Sequence, residues 1–227
     1  MSSTCGLFQS HLYSNGMGGL FLVLVWTTNG QLSQGQLNGR RGSSACTIIC
    51  ILLAEMVSDS SVLSLPHWRS LNKDWYFAVV KAINCGNSIY DKHVSTHGTL
   101  LDVEDVSDLF KRKLDKHFDV SETKPVWLSQ FTNPFMCTLM FNLKQFSLKQ
   151  GKKFAVFICK GSTVLIVGDG SGYVLVVDTH FHPDLSSGTV FIYGMACAVA
   201  SYMSRKYHSK TCSVGTLTEV SFTVVID

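Results

Sequence analysis

No two of the eight cysteines in this sequence form a Cys-x-x-Cys pair. That spacing is what a zinc ribbon or a thioredoxin-type redox centre needs, so its absence argues against both. Cys5, Cys46, Cys50, Cys85, Cys137, Cys159, Cys197 and Cys212 are instead scattered through apolar segments. Buried free thiols of a reducing compartment have this pattern, and the expected location is intracellular, cytoplasmic or nuclear. No run is dense in Lys or Arg and the net charge is only +3, so no nucleic-acid partner is expected. The longest apolar runs, 19–26 and 45–57, are shorter than the roughly 20 residues of a bilayer-spanning helix. No membrane partner is expected either. The first residues lack a basic stretch leading into an apolar one and do not read as a signal peptide; a flexible segment is expected over 1–17.

With 46% hydrophobic and 15% charged residues over 227 positions, the remainder, 18–227, has the composition of one folded domain, expected as a monomer. "GLFLVLVW" followed by "TTNG" predicts a buried strand closing on a turn. After a polar loop the pattern becomes helical near Ser43 or Ser44, either of which can serve as N-cap. The apolar residues that follow cover nearly the whole circumference, which predicts a central helix. Residues 65–94 predict one or two helices broken near Gly86, with Trp68, Trp75 and Phe77, like Trp127 further on, assigned to the core. "DVEDVSDLFKRKLDKHF" is amphipathic, and its acids Asp102, Glu104, Asp105 and Asp108 fit a solvated face near a helix N-terminus.

The period changes in the second half. Three runs of Val, Ile, Leu and Phe between about 153 and 182 are divided by "KGST" and "GDGSG", and predict an antiparallel meander. A short strand and a helix are expected over 186–208, and a last strand in "VSFTVVID". Helices mostly first and strands mostly second indicate an α+β fold, with helices on one side of the sheet and a cleft between.

Cys46 opens the apolar helix. Free N–H groups and the positive end of the helix dipole favour a thiolate there, and a thiolate is the nucleophile of acyl transfer. Asp178 and His180, two apart on a predicted strand, leave the same face. A carboxylate so placed can orient an imidazole as general base. Gln34, in the loop entering the helix, can add a side-chain N–H to the Cys46 N–H as an oxyanion hole, with Gln31 and Gln36 as rivals.

"QGQLNGRRGSSACT", an apolar helix and a late "VVDTH" together resemble the papain-like cysteine proteases related to the herpesvirus large tegument protein deubiquitinases, and more closely their cellular and transposon-borne relatives. The resemblance covers roughly residue 18 to the mid-190s. It implies a papain-like fold, a central helix carrying the cysteine against an antiparallel sheet, and a thiol protease without metal or other cofactor. The partner it implies is ubiquitin or polyubiquitin, cut after its Gly-Gly tail. It puts the nucleophile on Cys46, the base on His180, the orienting acid on Asp178 and the oxyanion glutamine on Gln34. The alternatives are an inactive ubiquitin-binding module of the same fold and a metal-dependent hydrolase using Asp178, His180 and His182, the latter short of chain for a barrel. Cys50, one turn beyond Cys46, is expected to be core.

Overall fold

The computed structural model describes residues 7–14, 22–66, 70–94, 98–114, 116–128, 138–207 and 214–222. Within them the strands β1 (Gln9–Ser14), β2 (Leu22–Asn29), β3 (Asp119–Val120), β4 (Lys124–Trp127), β5 (Lys153–Cys159), β6 (Ser162–Gly168), β7 (Tyr173–Asp178), β8 (Ser187–Met195) and β9 (Val214–Ser221) form one antiparallel sheet. Its order is β1-β2-β8-β7-β6-β5-β9-β3, with β4 also on β9. The helices are α1 (Cys46–Asp59), α2 (Asp74–His93), α3 (Val103–Lys113), α4 (Thr138–Ser147) and α5 (Ala196–Tyr207). The expected α+β fold is present, and the β5–β6–β7 meander lies where turn chemistry placed it.

Helices cover both faces of the sheet, not one. Leu165, Val167, Leu175 and Val177 point into a cluster shared with α1, α2 and α3. The alternate residues Val164, Ile166, Val174 and Val176 point into a second cluster with α4 and α5. Strands buried on both faces read as unbroken apolar runs, as "TVLIV" and "VLVV" do, and such a sheet needs a second helical layer.

α1 is buried along its length from Cys46 to Ala54, as its all-round apolar sequence requires. It starts later than the serines suggested, with Ala45 at the N-cap position and no side-chain cap. Ser43 Oγ accepts from the Ala45 N–H at 3.1 Å and donates to Asn87 Oδ1 at 2.6 Å. Its hydroxyl is engaged by α2, so the helix begins two residues on.

α2 runs unbroken through Gly86. A Cβ there would lie 2.5 Å from Ile49 Cγ1 and 3.3 Å from the Ile49 backbone, so the glycine permits close packing of α1 on α2 instead of ending a helix. α3 has the expected amphipathic face and a capping box between Asp102 and Asp105. Two core assignments fail: Phe77 is 57% and Trp127 53% exposed, whereas Trp75 is fully buried. Trp68 lies outside the described residues. Inside the stretch expected to be flexible, Gln9–Ser14 pairs with β2 from Gln9 opposite Thr27 to Ser14 opposite Leu22, because the buried β2 leaves an edge for it. The last strand starts earlier than expected, at Val214 opposite Trp127 of β4, and pairs with β5 from Thr216 to Val220.

Candidate active site at the head of the central helix

α1 packs across β6 and, less extensively, β5, and β7, the other neighbour of β6, ends at Asp178. The chain then turns. Asp178 Oδ1 accepts from the His180 backbone N–H at 3.0 Å and from His180 Nδ1 at 2.7 Å. The two residues are therefore not successive side chains of one strand face. The carboxylate folds forward over the turn and holds both the backbone and the ring of His180, an Asx-type geometry available to aspartate. The imidazole also stands beside the Cys46 thiol, near enough for each to shift the other's pKa, with Nε2 the ring nitrogen not engaged by Asp178. Residues 132 positions apart in sequence, from Cys46 to Asp178, are thus brought to one site.

The charges follow from these neighbours. Burial alone would push the Cys46 thiol up, but hydrogen bonds to His180 and Thr163, the charge of His180 and the Thr47 backbone bring it below the ordinary cysteine value. Burial also disfavours the imidazolium of His180, yet the hydrogen bonds to Asp178 and Cys46 raise it to about 10. Asp178 is 1% exposed. Its burial is outweighed by His180, His182 and Lys206, and it stays ionised well below the usual carboxylate range. The arrangement favours a thiolate–imidazolium pair.

The second carboxylate oxygen faces the other helical layer. Tyr207 Oη of α5 donates to Asp178 Oδ2 at 2.5 Å. His182 Nε2 and Lys206 Nζ each stand 3.4 Å from it, near enough for charge but without hydrogen-bond geometry. His182 is therefore a neighbour of the carboxylate. Among the described residues no group of three or more His, Cys, Asp or Glu is gathered to hold a metal ion.

Of the three glutamines, Gln31 and Gln36 are exposed and Gln34 is buried. Thr179, between Asp178 and His180, fixes Gln34 twice. Its carbonyl accepts from the Gln34 N–H at 2.8 Å, and its hydroxyl donates to Gln34 Oε1 at 3.0 Å. The amide orientation is thereby set, and Nε2, 3.5 Å from the carbonyl of Ser43, three residues before Cys46, has a second N–H to give. No side chain caps the head of α1, so its first N–H groups have no side-chain partner.

The polar loop folds back on itself. The Gly42 N–H donates to the Gly35 carbonyl at 2.9 Å, and a Cβ on Gly35 would stand 3.3 Å from Gly42 Cα. Gly35 and Gly42 thus permit close approach of the loop's own two limbs. Asn87 of α2 ties both limbs, donating to the Gln34 carbonyl at 2.9 Å and accepting from Ser43. Arg40 reaches Asp91 through two hydrogen bonds of 2.6 and 2.7 Å.

Cys50 is core, as expected. Its thiol contacts the Thr163 carbonyl at 3.7 Å, and burial with the charges of Cys46 and Asp178 pushes it well above the ordinary value. Sequence reasoning missed Thr163, Thr179, Asn87 and Tyr207. Thr179 had a signal, its place inside "DTH"; the others lie on distant elements and no local pattern marks them.

No protein-family model matches the chain, and no curated protein matches it. Among solved structures it is similar to the ubiquitin-specific protease encoded by the murine cytomegalovirus tegument protein M48, crystallised in complex with a ubiquitin-based suicide substrate. The TM-score is 0.58 at 11% identity, over 88% of this chain and 88% of that one. The likeness is one of fold: this chain has the α+β architecture of a papain-like viral ubiquitin protease, without close kinship in sequence.

Proposed function

We propose that the protein is a cysteine-dependent deubiquitinase. The observation that carries this reading is the hydrogen-bonded Asp178–His180 pair set beside the Cys46 thiol at the head of a buried helix. In the proposed reaction the Cys46 thiolate attacks the carbonyl of the C-terminal glycine of ubiquitin in an isopeptide bond. Gln34 Nε2 and the Cys46 N–H stabilise the oxyanion. His180, oriented by Asp178, delivers its proton to the departing lysine amine, and the thioester is released by water that His180 deprotonates. The choice of ubiquitin is supported by the fold shared with a protease crystallised on a ubiquitin-based substrate, and by the loop and motif resemblance carried by Gln34, Cys46, Asp178 and His180.

The test is covalent capture with ubiquitin bearing a C-terminal electrophile. The wild-type protein is expected to form an adduct on Cys46, and Cys46→Ala to form none. An adduct that persists in Cys46→Ala, or no adduct with a folded wild-type chain, would sink this reading. Non-covalent binding of ubiquitin without any adduct would identify an inactive binding module instead.

A further inference from the structure

One hydroxyl from β6 touches the sulfur of Cys46. Thr163 Oγ1 lies 3.3 Å from Cys46 Sγ and 3.1 Å from Thr47 Oγ1, and all three side chains are buried. Thr47 Oγ1 in turn stands 2.6 Å from the carbonyl oxygen of Leu101, next to the cap of α3. A carbonyl only accepts, and a threonine has one hydroxyl hydrogen to give. Thr47 therefore donates to Leu101, and the contact between the threonines is a hydrogen bond only if Thr163 donates. With a neutral thiol the chain runs one way: Cys46 S–H to Thr163, Thr163 to Thr47, Thr47 to Leu101. Each of these three hydrogens then has an acceptor, and the S–H spent on Thr163 is not available to His180 Nε2.

A thiolate breaks that order. It only accepts, so Thr163 must turn its hydrogen to the sulfur, and the oxygens of Thr163 and Thr47 then face each other with no hydrogen between them. We propose that Thr163 is a further catalytic residue, the hydroxyl ligand of the Cys46 thiolate, and that Thr47, held by the Leu101 carbonyl, competes for its hydrogen and limits how readily the thiolate forms. The catalytic meaning rests on Cys46 being the nucleophile; the acid–base claim concerns the thiol alone. The titratable groups that also face the sulfur are His180, from the turn after β7, and Cys50, one turn along α1. Neither is altered in the variants below.

The experiment follows the rate of alkylation of Cys46 by iodoacetamide against pH in the full chain, read by peptide mass spectrometry. Thr163→Val removes the hydrogen at nearly constant shape and is expected to raise the apparent pKa of Cys46 by about one unit, a roughly tenfold loss of thiolate on the acid limb. Thr163→Ser keeps the hydroxyl and follows the wild type. Thr47→Val frees the Thr163 hydrogen for sulfur and shifts the profile the opposite way, to lower pH. An unshifted profile in folded Thr163→Val, or shifts of the same sign in Thr163→Val and Thr47→Val, overturns the proposal. Should Thr163→Val not fold, Thr47→Val decides alone: a downward shift supports the competition, and an unchanged or upward profile overturns it. Alkylation needs no ubiquitin, so failure here and failure of ubiquitin capture are separate results.

Discussion

Cys46 and Cys50 occupy successive turns of α1 and are equally buried, at 3% and 2% exposure, yet their thiols are displaced in opposite directions from the ordinary cysteine value. Burial raises both. Cys46 has an imidazole, a hydroxyl and a helix terminus beside it, whereas Cys50 has a backbone carbonyl and the repulsion of two nearby anionic sites. What makes a thiol reactive here is the set of donors brought to it by β6 and the end of β7, and four residues along the helix that set is gone.

The largest effect that should erase the contrast is His180→Ala. Without the imidazolium, Cys46 is left with burial, the Thr163 hydroxyl and the Thr47 backbone at the helix terminus, and should behave more like Cys50. Alkylation of Cys46 at neutral pH is expected to fall about 100-fold or more. The wild-type protein gives the matching pH profile. Isopeptide hydrolysis requires thiolate and imidazolium together, so it rises on the acid side below the ordinary cysteine pKa and falls on the alkaline side as His180 loses its proton near about 10. A wild-type acid limb at the value of an unperturbed thiol would contradict the ion pair.

Gln34→Ala should act next, and on a different quantity. Loss of one oxyanion donor is expected to lower kcat for isopeptide hydrolysis by about 10- to 100-fold while leaving Cys46 alkylation close to wild type, which separates thiol reactivity from transition-state stabilisation. Equal losses in both assays would make Gln34 a structural residue only. The smallest change is expected from Cys50→Ala. It should cost about 1 kcal/mol of stability from lost packing, measured by denaturant titration, and leave ubiquitin-electrophile capture within about twofold of the wild type. A large loss of capture would mean that the second turn participates after all.

How much of this was legible in the sequence depends on whether the signal was local. The β5–β6–β7 meander announced itself through "KGST" and "GDGSG", and α3 through its acids and apolar stripe, because turns, caps and periodicity act over a few residues. Cys46, Asp178, His180 and Gln34 were singled out by residue type, position and resemblance. The structure brings Cys46, His180 and Asp178 together and ties the buried Gln34 to Thr179, between Asp178 and His180. What stayed hidden depends on distant partners. Ser43 does not cap α1 because Asn87 holds its hydroxyl. Gly86 reads as a helix breaker until Ile49 is seen against it. The second helical layer became visible only when strands apolar on both faces were stacked into one sheet, and with it came Tyr207 on the far side of the Asp178 carboxylate. Phe77 and Trp127 reverse the error: aromatic side chains assigned to the core by type are exposed.

Asn87 gives the loop before Cys46 a thermodynamic character. One buried amide joins the Gln34 carbonyl to the Ser43 hydroxyl and so closes that loop as a ring on α2. Ordering a free loop costs about 1–2 kcal/mol per residue. Here that entropy is already lost when the chain folds, so a ligand arriving at the head of α1 meets amide donors that are in position and does not have to organise them.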